Sequence, residues 1–114
     1  MSNTHTRRYR EAARYVVELR WHAPRKWGER KLPHAGRFYA WALFASPARK
    51  IWTYLDATGV FGPGGVETAE LAIITAEDDP NVPDVHAGEP FELSRSGLHG
   101  IGNAAQGRIV SKVS

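Results

Sequence analysis

The chain contains 114 residues and no cysteine, and its formal net charge is +3. This length accommodates one domain, and the lack of cysteine excludes a disulfide framework and thiolate chemistry. The N-terminus is polar and basic, and the longest apolar run, residues 38–45, is too short to span a bilayer as a helix. We therefore expect a cytoplasmic protein that does not engage a membrane.

The charge is divided unevenly along the chain. Residues 1–50 hold twelve Lys and Arg and three acids, whereas residues 51–114 hold three Lys and Arg and nine acids. If the two halves form separate surfaces, the first presents a basic face that attracts a polyanion or an acidic protein partner. If strands from the two halves interleave, the charges mix and no such face forms.

The first segment, residues 1–14, is interpreted as a basic lead-in to the folded domain. The run Glu11-Ala12-Ala13 favours a helix, so a helix over residues 7–19 competes with a strand in this region. We predict a loose or helical lead-in followed by a strand that begins at about Tyr15.

Period-two alternation of apolar residues is the main pattern in the rest of the chain. The stretch 37–44 is apolar at every position after Arg37, which predicts a strand covered on both faces. The predicted strands are 15–21, 37–44, 51–55, 66–75, 91–93 and 109–113. Short strands separated by Gly and Pro turns predict that residues 15–114 form a single all-β domain, a small barrel or sandwich.

A cluster of cationic and aromatic residues lies between the first two long strands. Lys and Arg neutralise phosphates while Trp stacks on bases, so this mixture is typical of nucleic-acid binding. The same residues would also suit an acidic protein partner, or a solvated loop whose tryptophans cover one end of the barrel. The candidate nucleic-acid-binding residues are Arg25, Lys26, Trp27, Arg30, Lys31 and Arg37.

The sequence contains no recognisable catalytic or metal-binding pattern. The five histidines lack metal-ligand spacing, and there is no phosphate-binding Gly-x-x-x-x-Gly-Lys segment. Glu77, Asp78, Asp79 and Asp84 could bind Ca²⁺, but without EF-hand spacing a solvated acidic loop is the better interpretation. Glu67 and Glu70 form no evident acid–base pair. We expect no cofactor, no bound metal and no enzymatic activity.

Three segments, in this order, resemble the third, C-terminal domain of bacterial elongation factor Tu. Residues 28–36, GERKLPHAG, are similar to that domain's Gly-Gly-Arg-His-Thr-Pro loop before an aromatic strand. Residues 61–65, FGPGG, lie where the family has a Met-Pro-Gly turn. Residues 88–93 and 107–113, GEPFEL and GRIVSKV, resemble its closing hairpin. The resemblance covers about residues 15–114 and implies a small antiparallel β barrel.

In that family the domain holds the T-stem of aminoacyl-tRNA through the Gly-Gly-Arg-His loop and packs against a GTPase domain. By resemblance, Arg30 matches the Arg of the loop, Lys31 replaces its His and Glu29 replaces a Gly. The chain has no room for a GTPase domain, so GTP hydrolysis is not implied. The expected function is a non-catalytic module that binds RNA, tRNA above all, or a translation-related complex. The alternative is a protein–protein interaction module of the inhibitor or immunity type that binds no RNA.

Overall fold

The fold is a closed six-stranded antiparallel β barrel, seen in a computed structural model that describes residues 8–21, 26–27, 30–31, 36–94 and 103–113. This confirms the predicted all-β barrel. The strands are β1 (Tyr9–Trp21), β2 (Lys26–Trp27), β3 (Arg30–Lys31), β4 (Gly36–Ala45), β5 (Ala48–Ala57), β6 (Val66–Ala76), β7 (Pro90–Ser94) and β8 (Asn103–Lys112). A 3₁₀ turn covers Pro63–Gly65. No helix in these described ranges is long and apolar enough to cross a membrane.

The strand order around the barrel is β1-β6-β5-β4-β7-β8, and β8 closes the cylinder by pairing with β1. All the pairings are antiparallel. β2 and β3 form a separate two-stranded hairpin within residues 22–35. These residues connect Trp21 at the end of β1 to Gly36 at the start of β4, and both lie at one end of the barrel, which we call the hairpin end.

Alternate residues of each barrel strand point inward and form the core. A six-stranded barrel is narrow, so small side chains must alternate with large ones to fill it. Leu19, Leu55, Leu71, Ile73 and Ile109 are almost completely buried. The small residues buried beside the large ones are Ala13, Ala40, Ala42, Ala57, Ala69 and Ala105.

The first strand begins at Tyr9, six residues before the position expected from the sequence. Residues 9–14, assigned to the lead-in, are therefore strand rather than helix. β1 pairs with β6 from Tyr9↔Ala76 onwards, with a bulge between Glu11 and Ala13. Backbone pairing with β6 prevails over the helix propensity of this segment, because local propensity is weak relative to tertiary contacts.

The aromatic strand β4 also differs from expectation, because only its inner face is fully covered. Ala40, Ala42 and Phe44 point inward and are buried. Tyr39 and Trp41 point outward, and Tyr39 is 54% exposed. The prediction that β4 is covered on both faces was therefore wrong, since no second layer lies over the outside of the barrel in the described ranges.

Strands β7 and β8 approach closely where Phe91 pairs with Gly107. A Cβ atom on Gly107 would lie 2.3 Å from Cζ and 2.6 Å from Cε2 of Phe91. The Phe91 ring therefore occupies the space that a side chain at position 107 would need. The same ring packs against Phe44, with ring centroids 5.4 Å apart, so it has little room to withdraw.

We expect Gly107→Ala to lower the free energy of unfolding by about 1–3 kcal/mol, because the added methyl overpacks the core. Gly62→Ala is the matched control, since its added Cβ would meet only the Val66 carbonyl oxygen at 3.5 Å. Urea denaturation measures both. Adding Phe91→Leu to Gly107→Ala should recover part of the loss. Equal stability of the two alanine variants would contradict the close contact.

Candidate functional site

The residues predicted to bind nucleic acid fall into three groups. Arg25 lies outside the described residues. Lys26, Trp27, Arg30 and Lys31 form the hairpin β2–β3, in which Lys26 is opposite Lys31 and Trp27 is opposite Arg30. Arg37 lies on the barrel itself, in β4. The backbone register therefore brings four of the six predicted residues together.

Arg37 is engaged by the barrel. Its Nε and Nη2 donate hydrogen bonds of 2.8 and 3.1 Å to the two carboxylate oxygens of Asp56 on β5. Its guanidinium also lies 3.9 Å from the centroid of the Tyr54 ring. A bidentate carboxylate neutralises the charge of Arg37, so this residue is a weaker candidate for a phosphate contact than the sequence predicted.

Arg14 is the centre of a larger polar network on the outside of the barrel. Its guanidinium donates to Glu11 at 2.8 and 2.9 Å, to Asp56 at 2.9 Å, to Glu70 at 2.8 Å and to the Tyr54 hydroxyl at 3.1 Å. The Tyr54 hydroxyl in turn donates to Glu11. With Arg37 included, the network joins β1, β6, β5 and β4. Two cations face three carboxylates, so this surface carries no excess positive charge.

The network shifts the pKa values of its members. Hydrogen bonds from Arg14 and then Tyr54 lower the pKa of Glu11 from 4.5 to about 2. Pairing with Arg37 is the main cause that lowers the pKa of Asp56. The hydrogen bond to Glu11 raises the pKa of Tyr54. With their pKa values lowered, Glu11 and Asp56 stay charged across the neutral pH range, and Tyr54, with its pKa raised, stays neutral.

An aromatic surface adjoins this network on the outside of β4 and β5. Trp41 and Trp52 are cross-strand partners with ring centroids 4.8 Å apart. Tyr39 stacks on Trp52 at 5.9 Å and contacts Tyr54 edge to face at 5.7 Å. The Lys50 ammonium lies 4.7 Å from the centroid of Trp41. We call Tyr39, Trp41, Trp52 and Tyr54 the aromatic face. Tyr39 is exposed, Trp41 and Trp52 are half-buried and Tyr54 is buried beneath them. Partly exposed Trp and Tyr side chains are typical of binding surfaces.

An open groove of about 650 Å³ begins at the aromatic face and lies toward the barrel end opposite the hairpin end. Trp41 and Trp52 line it, with residues 74–76 of β6 and Tyr9 of β1. Its rim is the segment after β6, which contributes Asp79, Asn81 and Pro83. No sequence pattern indicates this groove, because its residues come from four separate segments of the chain.

Glu67 is a buried carboxylate at the hairpin end, with only 1% of its surface exposed. It accepts hydrogen bonds from Trp21 Nε1 at 2.8 Å, from the Thr58 amide at 2.7 Å and from the Gly59 amide at 2.9 Å. The Thr58 hydroxyl lies 3.3 Å from the same carboxylate. These contacts compensate for burial of the charge and hold the β5–β6 loop against β1, which is a structural role. Glu67 lies at alternate positions of β6 with Ala69, Leu71 and Ile73, and all four side chains are buried. The spacing of these residues in the sequence is the signal that could have placed Glu67 inside.

The described ranges contain no group of three or more His, Asp or Glu side chains that could hold a metal ion. His86 Nε2 lies 3.7 Å from the carboxylate of Asp84, and both side chains are more than 70% exposed. An exposed two-residue contact does not form a metal site. His5, His22, His34 and His99 lie outside the described residues.

We expect the stability of the protein to decrease as the pH falls from 4.5 toward 2, because the folded-state pKa of Glu11 is lowered. A carboxylate with a depressed pKa stabilises the fold above its unfolded-state pKa, and this contribution is lost on protonation. Urea midpoints across this range should therefore fall less for Glu11→Gln than for the wild type. Glu18→Gln, an exposed change on the same strand, is the control and should follow the wild type. Equal acid sensitivity of all three proteins would exclude the Glu11 contribution.

Comparison with protein-family profiles, curated proteins and solved structures finds no match for this chain. What the described residues can bind therefore follows from their own contacts, charges and exposure. These features divide the surface into a basic hairpin, a charge-compensated aromatic face and a groove with an acidic rim.

Proposed function

We propose that this protein is a non-catalytic RNA-binding module that uses the hairpin β2–β3. The observation that carries the proposal is the hairpin register, which gathers three cations and one tryptophan at four paired positions. Lys and Arg neutralise phosphates and Trp stacks on bases, so this set of residue types in one short hairpin suits an RNA ligand.

The position of the hairpin supports the same proposal. It lies in the segment that connects Trp21 to Gly36, and this segment, residues 22–35, contains four Lys and Arg and one acid. On the barrel, by contrast, Arg14 and Arg37 are paired with carboxylates. A polyanion is therefore attracted more strongly to the hairpin than to the aromatic face.

The resemblance to the third domain of elongation factor Tu supports tRNA as the RNA. The match of Arg30 to the tRNA-binding loop falls on the hairpin, and the barrel architecture agrees with the one that the resemblance implies. A domain of this kind would act as a binding module in a translation-related complex. Arg30 and Lys31 are its main proposed contacts, with Lys26 and Trp27 beside them.

A protein–protein interaction module is the second candidate function. The aromatic face favours it, because exposed Trp and Tyr side chains contribute strongly to protein interfaces while compensated charges attract no polyanion. A protein partner would remain bound to the purified protein after ribonuclease treatment, whereas a partner held through RNA would be released.

The double variant Arg30→Ala with Lys31→Ala tests the RNA proposal against an unmodified tRNA transcript. We expect weaker binding and a salt dependence whose log–log slope is smaller by about 2, because each substitution leaves one phosphate without its cation. Filter binding at several salt concentrations measures both quantities.

The matched control is Arg108→Ala with Lys112→Ala, which removes two exposed cations from β8 without changing the hairpin. The control should bind tRNA with nearly wild-type affinity and slope. Urea midpoints show whether both variants are folded. Unchanged affinity and slope in the hairpin variant would reject the hairpin as the RNA-binding site.

A further inference from the structure

The barrel wall contains a gap between β5 and β6. β5 contains ten residues, but its ladder with β6 joins only Thr53–Asp56 to residues 70–73. Beyond Thr53, residues 48–52 continue to pair with β4 on one side alone. Within the described ranges, the β5–β6 ladder does not include these five residues, and none of the backbone hydrogen bonds of turns and loops involves them. This part of β5 therefore presents an open strand edge inside a closed barrel.

The groove lies along this open edge. Trp52 belongs to the unpaired part of β5, and residues 74–76 are the part of β6 beyond the ladder; both line the groove. Arg49 closes the open edge at the start of β5, because it donates to the Asp84 carbonyl at 2.5 Å and pairs with Glu89. The accessible edge is thus Lys50–Trp52, roughly 10 Å long at the rise of an extended strand.

The rim of the groove contains acidic residues, and two cations lie beside it: Arg10 Nη2 donates to the Asp79 carbonyl at 3.2 Å, and the Lys50 ammonium lies over Trp41. Residues 77–84 include four carboxylates and no Lys or Arg. Asp79 lines the groove directly and is held in place by a 2.9 Å hydrogen bond that its Oδ1 accepts from the Asn81 amide. An acidic rim disfavours nucleic acid and complements a cationic side chain.

We propose that this groove binds an extended peptide segment of a partner protein, and that the segment carries Lys or Arg. The peptide backbone pairs with the edge Lys50–Trp52 as an added strand, an apolar side chain packs on Trp41 and Trp52, and a cationic side chain faces Asp79. An open strand edge provides main-chain affinity and the neighbouring pockets provide side-chain specificity. This function goes beyond RNA binding at the hairpin and uses residues far from it.

The probe is a fluorescein-labelled pentapeptide of alternating valine and lysine, titrated against the full chain by fluorescence anisotropy. We expect saturable binding that decreases at least tenfold when the interior peptide nitrogens are methylated, because methylation removes the backbone donors that pair with β5. The peptide should also slow amide hydrogen exchange at those of residues 50–52 whose N–H groups point away from β4. Equal binding of the methylated peptide would overturn strand addition.

Two pairs of variants locate the binding site. Asp79→Asn should weaken binding several-fold, whereas Asp84→Asn, an exposed change in the same segment that does not line the groove, should not. Trp52→Ala should weaken it at least tenfold, whereas Tyr39→Ala, an exposed aromatic outside the groove, should leave it within twofold. Equal effects within either pair would contradict the proposal. Urea midpoints show that each variant is folded.

Testing each variant with both ligands distinguishes peptide binding at the groove from RNA binding at the hairpin. The double variant Arg30→Ala with Lys31→Ala should bind the peptide normally, and Asp79→Asn should bind the tRNA transcript normally. If the transcript displaces the peptide, or if Trp52→Ala weakens tRNA binding as much as peptide binding, the groove is a nucleic-acid surface and the peptide proposal fails.

Discussion

Closure of a narrow six-stranded barrel is the constraint on which the rest of the structure depends. The interior combines large side chains with alanine and glycine, as at Gly107, where the Phe91 ring fills the space that a side chain would need. Aromatic residues at the outward positions of β4 and β5 cannot enter this interior. They pack against one another on the outside, at Trp41, Trp52 and Tyr39. The aromatic face therefore forms on the outside of the barrel, where its rings contact one another instead of the core.

Closure also determines what happens to the uneven charge of the sequence. Arginines from the first half of the chain meet carboxylates from the second half across neighbouring strands: Arg14 with Asp56 and Glu70, and Arg49 with Glu89. On the barrel the two halves therefore interleave and their charges compensate. The hairpin segment retains its excess of cations in the sequence, and residues 77–84 retain their excess of acids. Different partners are consequently expected at different places on one small domain.

Alternation in the sequence predicted strands within β5 and β6, because side chains of a strand point alternately to its two sides. The same parity places Glu67 inside, although its hydrogen-bond donors could be known only from the fold. The start of β1 at Tyr9 could not be predicted, since it depends on pairing with residues near Ala76. The groove could not be predicted from the sequence for the same reason. It arises where the ladder between β5 and β6 stops at Thr53, and periodicity carries no information about where two distant strands separate.

The hairpin and the groove lie toward opposite ends of the barrel, because residues 48–52 begin β5 and residues 74–76 end β6, whereas Trp21 and Gly36 mark the other end. The side of the barrel between them is held together by the Arg14 network, which links four neighbouring strands. No shared residue connects the two surfaces within the described ranges. If RNA binds the hairpin and a peptide binds the groove, as proposed, each ligand uses residues that the other does not occupy.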